Sequence, residues 1–198
     1  MKYFILASIQ LFFMVICYLT NWFVVLFADE NGELHGALRL WQTWDDTLDN
    51  KSFIKNSMPK FLQYDWDNYY KQSEVIDQYN RRRFTETIMR KFTTKDKIKR
   101  YFCRVAWLYR NCGYGFAYYL FGQIITPPVK LFIFNKKNYF VYEPNKNIFN
   151  IIWALKMESH IFGKLFWNVY LGWKINKDIN YQHRAMIATR ISFKIRNY

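Results

Sequence analysis

The sequence predicts an α+β protein: an N-terminal transmembrane helix, then amphipathic helices, then a C-terminal antiparallel β-meander of about five strands. Three observations predict it. Residues 3–28 are almost wholly apolar and carry no charge. Residues 96–111 repeat apolar side chains every three or four positions, the period of a helix with one apolar face. Beyond Pro127-Pro128 the period falls to two, as in half-buried strands. Composition agrees: 52% of the 198 residues are hydrophobic and 22% aromatic, which excludes a disordered chain. Only 7 Gly and 4 Pro exclude collagen-like or linker sequence. The 3 Cys exclude a disulfide scaffold, although Cys103 and Cys112 are available to pair. Phe, Tyr, Ile, Asn and Lys share AT-rich codons, so the placement of the aromatic residues and of the net charge of +14 tells more than the totals.

Four segments follow: an anchor at 1–28, an acidic exit segment at 29–50, a polar and basic helical region at 51–113, and an apolar helix plus antiparallel sheet at 114–198. As a helix the anchor is about 39 Å long, more than the roughly 30 Å hydrocarbon core. Tyr3 and Trp22 suit its two interfaces. A cleaved signal peptide competes, but its basic region is Lys2 alone and Leu26-Phe27-Ala28 is a poor small-x-small cleavage site. A buried core helix is the third reading. Gln10 and Asn21, eleven residues apart, share one face, either as tolerated polarity or as a helix–helix contact. Arg39 is the only basic residue among the twenty after the anchor, so the local charge bias scarcely orients it. The basic remainder points to a single pass with a very short N-terminus outside and the body in the cytoplasm.

After the exit turn Asp29-Glu30-Asn31-Gly32-Glu33, the carboxylates Asp45, Asp46 and Asp49 form the densest acidic cluster. Hard divalent cations take several oxygen ligands, so the cluster is a candidate half-site for a metal, with catalysis as its extension. The other readings are a solvated, capping turn and a partner contact. Tyr69–Asn80 reads as a short polar helix. Charge then rises sharply: residues 81–110 hold eleven Lys and Arg against Glu86 and Asp96. In the helix at 96–111, Ile98, Tyr101, Phe102, Val105, Leu108 and Tyr109 form the apolar stripe, and Lys97, Arg100, Arg104 and Trp107 the opposite one. Lys97, Arg100, Arg104 and Arg110 are the candidate contacts for an anion or lipid headgroup. An anionic membrane surface, a solvated face and a polyanion such as nucleic acid all fit such a stripe. No nucleic-acid-binding motif accompanies it, so nucleic acid is the weaker partner.

Tyr114–Thr126 is apolar but short for a second span and reads as a core or interfacial helix. Leu131–Phe134 and Tyr139–Glu143 flank Asn135-Lys136-Lys137-Asn138 as a hairpin with a four-residue loop. Phe149–Met157, Leu165–Ile175 and Ile191–Ile195 alternate apolar with polar or small residues and complete five strands covered on one side. His35, His160 and His183 show no metal-ligand spacing. There is no phosphate-cradling Gly loop or nucleophile elbow.

Trp41-Gln42-Thr43-Trp44-Asp45-Asp46-Thr47-Leu48-Asp49-Asn50 resembles a Trp/Phe-Gln-Thr-Pro-Asp-Asn-x-Leu-Asp-Gly segment. Arg104-Val105-Ala106-Trp107-Leu108-Tyr109-Arg110-Asn111 with Tyr114-Gly115-Phe116 resembles a second motif of the same proteins, and Gly172-Trp173-Lys174 a third. These are an uncharacterised family of small membrane-associated proteins encoded by tailed bacteriophages. Its motif residues here are Trp41, Gln42, Thr43, Leu48, Trp107, Asn111, Tyr114 and Gly115. Trp44 stands where the family has proline and Asn50 where it has glycine, and residues 51–95 look like an expanded linker. The resemblance implies phage origin and membrane association but no activity. The expectation is a non-enzymatic, membrane-anchored protein that binds a host or phage protein or modifies the host envelope. The alternatives are a metal-dependent enzyme acting on a phosphorylated anion and a membrane-tethered polyanion binder.

Overall fold

A computed structural model describes residues 2–76, 82–144, 149–162, 164–175 and 180–195. The fold is α+β, as the sequence predicts. Helix α1 spans Lys2–Val24 and runs into a 3-10 turn at Val25–Phe27. After a second 3-10 turn at Gly36–Trp41 come α2 (Lys51–Ser57) and α3 (Trp66–Tyr69). Then follow β1 (Tyr70–Ile76), β2 (Arg82–Ile88), α4 (Thr94–Arg110) and α5 (Tyr114–Tyr119). The last part holds β3 (Gln123–Ile125), β4 (Lys130–Ile133), β5 (Tyr139–Tyr142), β6 (Trp153–Phe162), β7 (Leu165–Trp173), β8 (His183–Ala185) and β9 (Ile187–Ile195). The chain divides into two compact units, Met14–Gly115 and Met1–Phe13 with Phe116–Tyr198, so α1 contributes to both.

In the unit of residues 14–115, α2 and α4 start where side-chain oxygens satisfy free helix amides. Asn50 Oδ1 accepts from Phe53 N at 2.7 Å and Thr93 Oγ1 from Asp96 N at 3.2 Å. The core gathers Val24 and Val25 from the end of α1, Leu34, Leu48, Trp66, and Cys103 and Leu108 from α4. Here the structure corrects the polar helix expected at Tyr69–Asn80. Tyr70–Ile76 is a strand, antiparallel to β2, with Ser73 opposite Thr85; residues 77–80 lie outside the described residues. The segment has no apolar stripe to hold a helix against the core, and strand pairing satisfies its backbone instead.

In the other unit, β4-β5-β6-β7-β9 form the expected five-stranded antiparallel sheet in chain order. The first hairpin closes as expected: Asn135 Oδ1 accepts from Lys137 N and Asn138 N at 2.9 and 2.8 Å, an Asx-type turn. Several boundaries differ: β7 ends at Trp173 rather than Ile175, and β9 begins at Ile187 rather than Ile191. The third meander strand begins at Trp153, while Phe149 is exposed in a turn. The apolar stretch 114–126 is helical only to Tyr119; beyond it, Gln123–Ile125 pairs with β8. Gly122 falls between the two, a poor helix position. The first turns of α1 pack on this sheet. Tyr3 sets its ring 4.9 Å from that of Trp153 and donates its hydroxyl to Ala188 O at 2.9 Å.

Helix α1 is thereby divided lengthwise. Tyr3, Ala7, Gln10, Cys17, Asn21 and Val24, at steps of three, four and seven, face protein and are buried. The opposite stripe leaves twelve large apolar side chains between Phe4 and Phe27 exposed, Phe12 at 64% and Leu19 at 68% among them.

Candidate functional site

The acidic cluster does not assemble into one site. Asp45 is exposed. Asp46 turns back on its own loop, accepting from Thr47 N at 2.8 Å and from the Asn50 side-chain amide. Asp49 is fully buried, 0% exposed. Its Oδ1 accepts from Arg104 Nε at 2.9 Å, Arg100 Nε at 3.1 Å and the Tyr64 hydroxyl at 3.3 Å. Its Oδ2 accepts from Arg104 Nη2 at 2.6 Å, Arg100 Nη2 at 2.7 Å and the Tyr70 hydroxyl at 2.7 Å. A carboxylate offers about four lone-pair sites, and these donors fill them. Two guanidinium groups alongside also repel a second cation. Among the described residues no three of His, Cys, Asp and Glu come together as a metal site. Burial alone raises a carboxyl pKa, but the hydrogen bonds and charges of Arg104 and Arg100 outweigh it and hold Asp49 at about 2.

The arginines reach Asp49 because they are four residues apart on one face of α4. They also tie down the exit turn: Arg104 Nη2 donates to Asp29 O at 3.2 Å, and Arg100 Nη2 donates to Glu30 O. Gly32 belongs to this contact. Its φ is +78°, and a Cβ there would lie 2.4 Å from Asp49 Oδ2, so both the backbone and the space require glycine.

The motif residues build the same hub. Gln42 is buried; its Oε1 accepts from Leu34 N and its Nε2 donates to Asp46 O, each at 2.8 Å. Thr43 donates to Asp46 O at 3.2 Å, and Leu48 N bonds Gly32 O at 2.8 Å. Trp41 Nε1 donates to Thr20 Oγ1 of α1 at 2.9 Å. A Cβ on Gly115 would lie 2.3 Å from Leu40 O and 2.5 Å from Gln42 O, so the second motif packs directly on the first. Asn111 caps α4, its side chain donating to Trp107 O at 3.1 Å, and its own carbonyl accepts from Tyr114 N. In the other unit the third motif is also internal: Trp173 is buried and donates to Phe121 O at 3.1 Å.

The basic stripe of α4 therefore splits. Arg100 and Arg104 turn inward to Asp49 and Trp107 is buried, while Ile98 and Phe102 of the apolar stripe are exposed. Arg110 lies over the Phe53 ring at 5.3 Å. Lys97 is exposed on a cavity of about 910 Å³ beside the hub, together with Arg90, Lys91, Arg100 and Arg104. Sequence reading singled out Asp49, Arg100 and Arg104 separately but missed their union, the tyrosines 64 and 70, and the contribution of Arg90 and Lys91. The available signal was the Arg100–Arg104 spacing, a ready clamp for a carboxylate.

Neither a curated protein nor a solved structure matches the chain. A family model does match, over residues 1–197, which takes in the apolar helix, the buried Asp49 hub and the sheet alike. The chain belongs to the family of unknown function DUF7338.

Proposed function

We propose that the protein is a non-enzymatic binding protein attached to a membrane through α1. From the resemblance to phage-encoded proteins, we take that membrane to be the host inner membrane, with the body on its cytoplasmic side and a host or phage protein as the partner. The observation that carries the reading is the two-striped α1. Its inner stripe is held by the protein, and its outer stripe leaves twelve large apolar side chains without cover. Exposed apolar area of that extent marks a membrane or protein contact. Transfer of each such side chain out of water contributes about 1.5–3 kcal/mol when complete. A binding role is supported by Asp49, the one buried carboxylate of the acidic cluster, whose acceptor sites are filled by protein donors.

Two modes of attachment differ in their consequences. A single pass would carry the side chains packed on the inner stripe of each half of α1 into hydrocarbon. A helix lying along the interface, outer stripe in lipid, keeps those contacts, and the two-striped burial favours it.

The test uses the full chain. Wild type is expected in the membrane pellet after a high-salt wash. Phe12→Glu/Leu19→Glu, both on the outer stripe, moves the protein to the soluble fraction while leaving its melting temperature unchanged. Wild type in the soluble fraction would overturn the attachment. An impermeant maleimide applied to Lys2→Cys separates the modes: labelling from the side opposite the body indicates a span, and labelling only from the body's side indicates the interfacial helix. The native Cys17, Cys103 and Cys112 are buried, which keeps the background low.

A further inference from the structure

The geometry points to the cavity beside α4 as a site for the phosphate headgroup of an anionic phospholipid, an assignment that rests on the membrane attachment proposed above. Charge is the first reason. Arg90 and Lys91 from the segment after β2, Lys97 from the start of α4, and Arg100 and Arg104 further along α4 all line the cavity. Asp49 neutralises only one of the two arginines Arg100 and Arg104. Among the described residues Arg90, Lys91 and Lys97 have no carboxylate partner. The lining carboxylates are Asp29 and Glu30, and Asp29 is engaged by Glu33 N and His35 Nε2, both at 2.8 Å. Positive charge is therefore in excess on the lining, with Arg90, Lys91 and Lys97 unpaired among the described residues.

Preorganisation is the second reason. The Arg100 side chain is fixed through Nε and Nη2, and its guanidinium stacks 4.2 Å from the Phe92 ring centre. Its Nη1 has no acceptor among the described residues, which leaves one edge of a rigid fork for phosphate oxygens.

The third reason separates a lipid from free phosphate. Val25, Leu26 and Ala28, at the end of the apolar helix, line the same cavity, and Leu26 is 61% exposed. A ligand with phosphate among the basic groups has an apolar path for its acyl chains along the outer stripe of α1. Inorganic phosphate uses only the charged half. The volume, about 910 Å³, falls within the usual range for small-molecule sites.

The test is calorimetric titration of the full chain in non-ionic detergent with dihexanoylphosphatidylglycerol. Saturable one-to-one binding is expected, at least 10-fold tighter than for dihexanoylphosphatidylcholine or inorganic phosphate. Lys91→Gln/Lys97→Gln, both exposed positions, weakens it about 10-fold or more with no change in melting temperature. Unchanged binding by this variant would overturn the site. Equally tight inorganic phosphate would overturn the lipid assignment. Flotation on neutral phosphatidylcholine vesicles reports on α1 separately: wild type and variant float alike if the helix attaches the protein. Failure there with the titration intact removes the attachment reading alone.

Discussion

A carboxylate taken out of water costs several kcal/mol unless charge and hydrogen bonds match it, and Asp49 is matched by two arginines and two tyrosines. Asp49→Asn keeps the shape but strands Arg104, whose side chain is 8% exposed. It is expected to cost about 3–5 kcal/mol, read by urea unfolding. Because Asp49 sits at about 2, below its ordinary value of 3.8, its stabilisation is present above about pH 4 and is lost as pH falls from 4 to 2. That loss amounts to about 2 kcal/mol and should be absent from the acid-unfolding curve of Asp49→Asn. Glu86 behaves oppositely. Burial, with the charges of Asp46 and Asp49 adding to it, pushes its carboxyl up to about 7. Stability therefore falls as pH rises from about 4.5, the ordinary value, to about 7, where Glu86 ionises in the folded state. Glu86→Gln should melt above wild type at pH 8 and level with it at pH 4.

At the scale of elements, what was legible follows from how local the information is. The hairpin at Asn135–Asn138 and the strands β7 and β9 are written in neighbouring residues and both appear, but the face of β9 expected to be covered is not: Ile191 is 65% and Phe193 66% exposed. The two stripes of α4 were legible too, but not which of them faces inward. Solvation argues for arginine outside, and the fact that reverses this, Asp49, lies 51 and 55 residues before its partners. β1 misled for a related reason: its polar residues carry no strand signal, and its partner strand decides its state. The close fit of α5 on the first motif gives a prediction. Gly115→Ala sets a methyl against the Leu40 and Gln42 carbonyls, which are backbone and must move. A loss of about 1–3 kcal/mol is expected, as for other overpacked sites, with a fall in melting temperature as the readout.

For the whole molecule, the sequence marked a basic, aromatic chain with an apolar first helix. It did not disclose that this helix belongs to the core of each unit. Val24 and Val25 are core residues of one, and Tyr3 is buried in the other. Deleting residues 1–28 is thus expected to unfold the protein, seen as loss of a cooperative melt, whereas the outer-stripe substitutions act on partitioning alone. The inner stripe also has a history in time. The ribosome makes α1 before α4, and the 80 or so residues between Val24 and Arg104 take roughly 4–16 s to synthesise. Throughout that interval Asn21 and Cys17 have none of their later neighbours. The nascent helix can meet lipid with every face bare, and only afterwards does the growing chain close over one side of it. On the attachment proposed above, membrane engagement precedes folding, and the bilayer serves as the first surface against which the protein assembles.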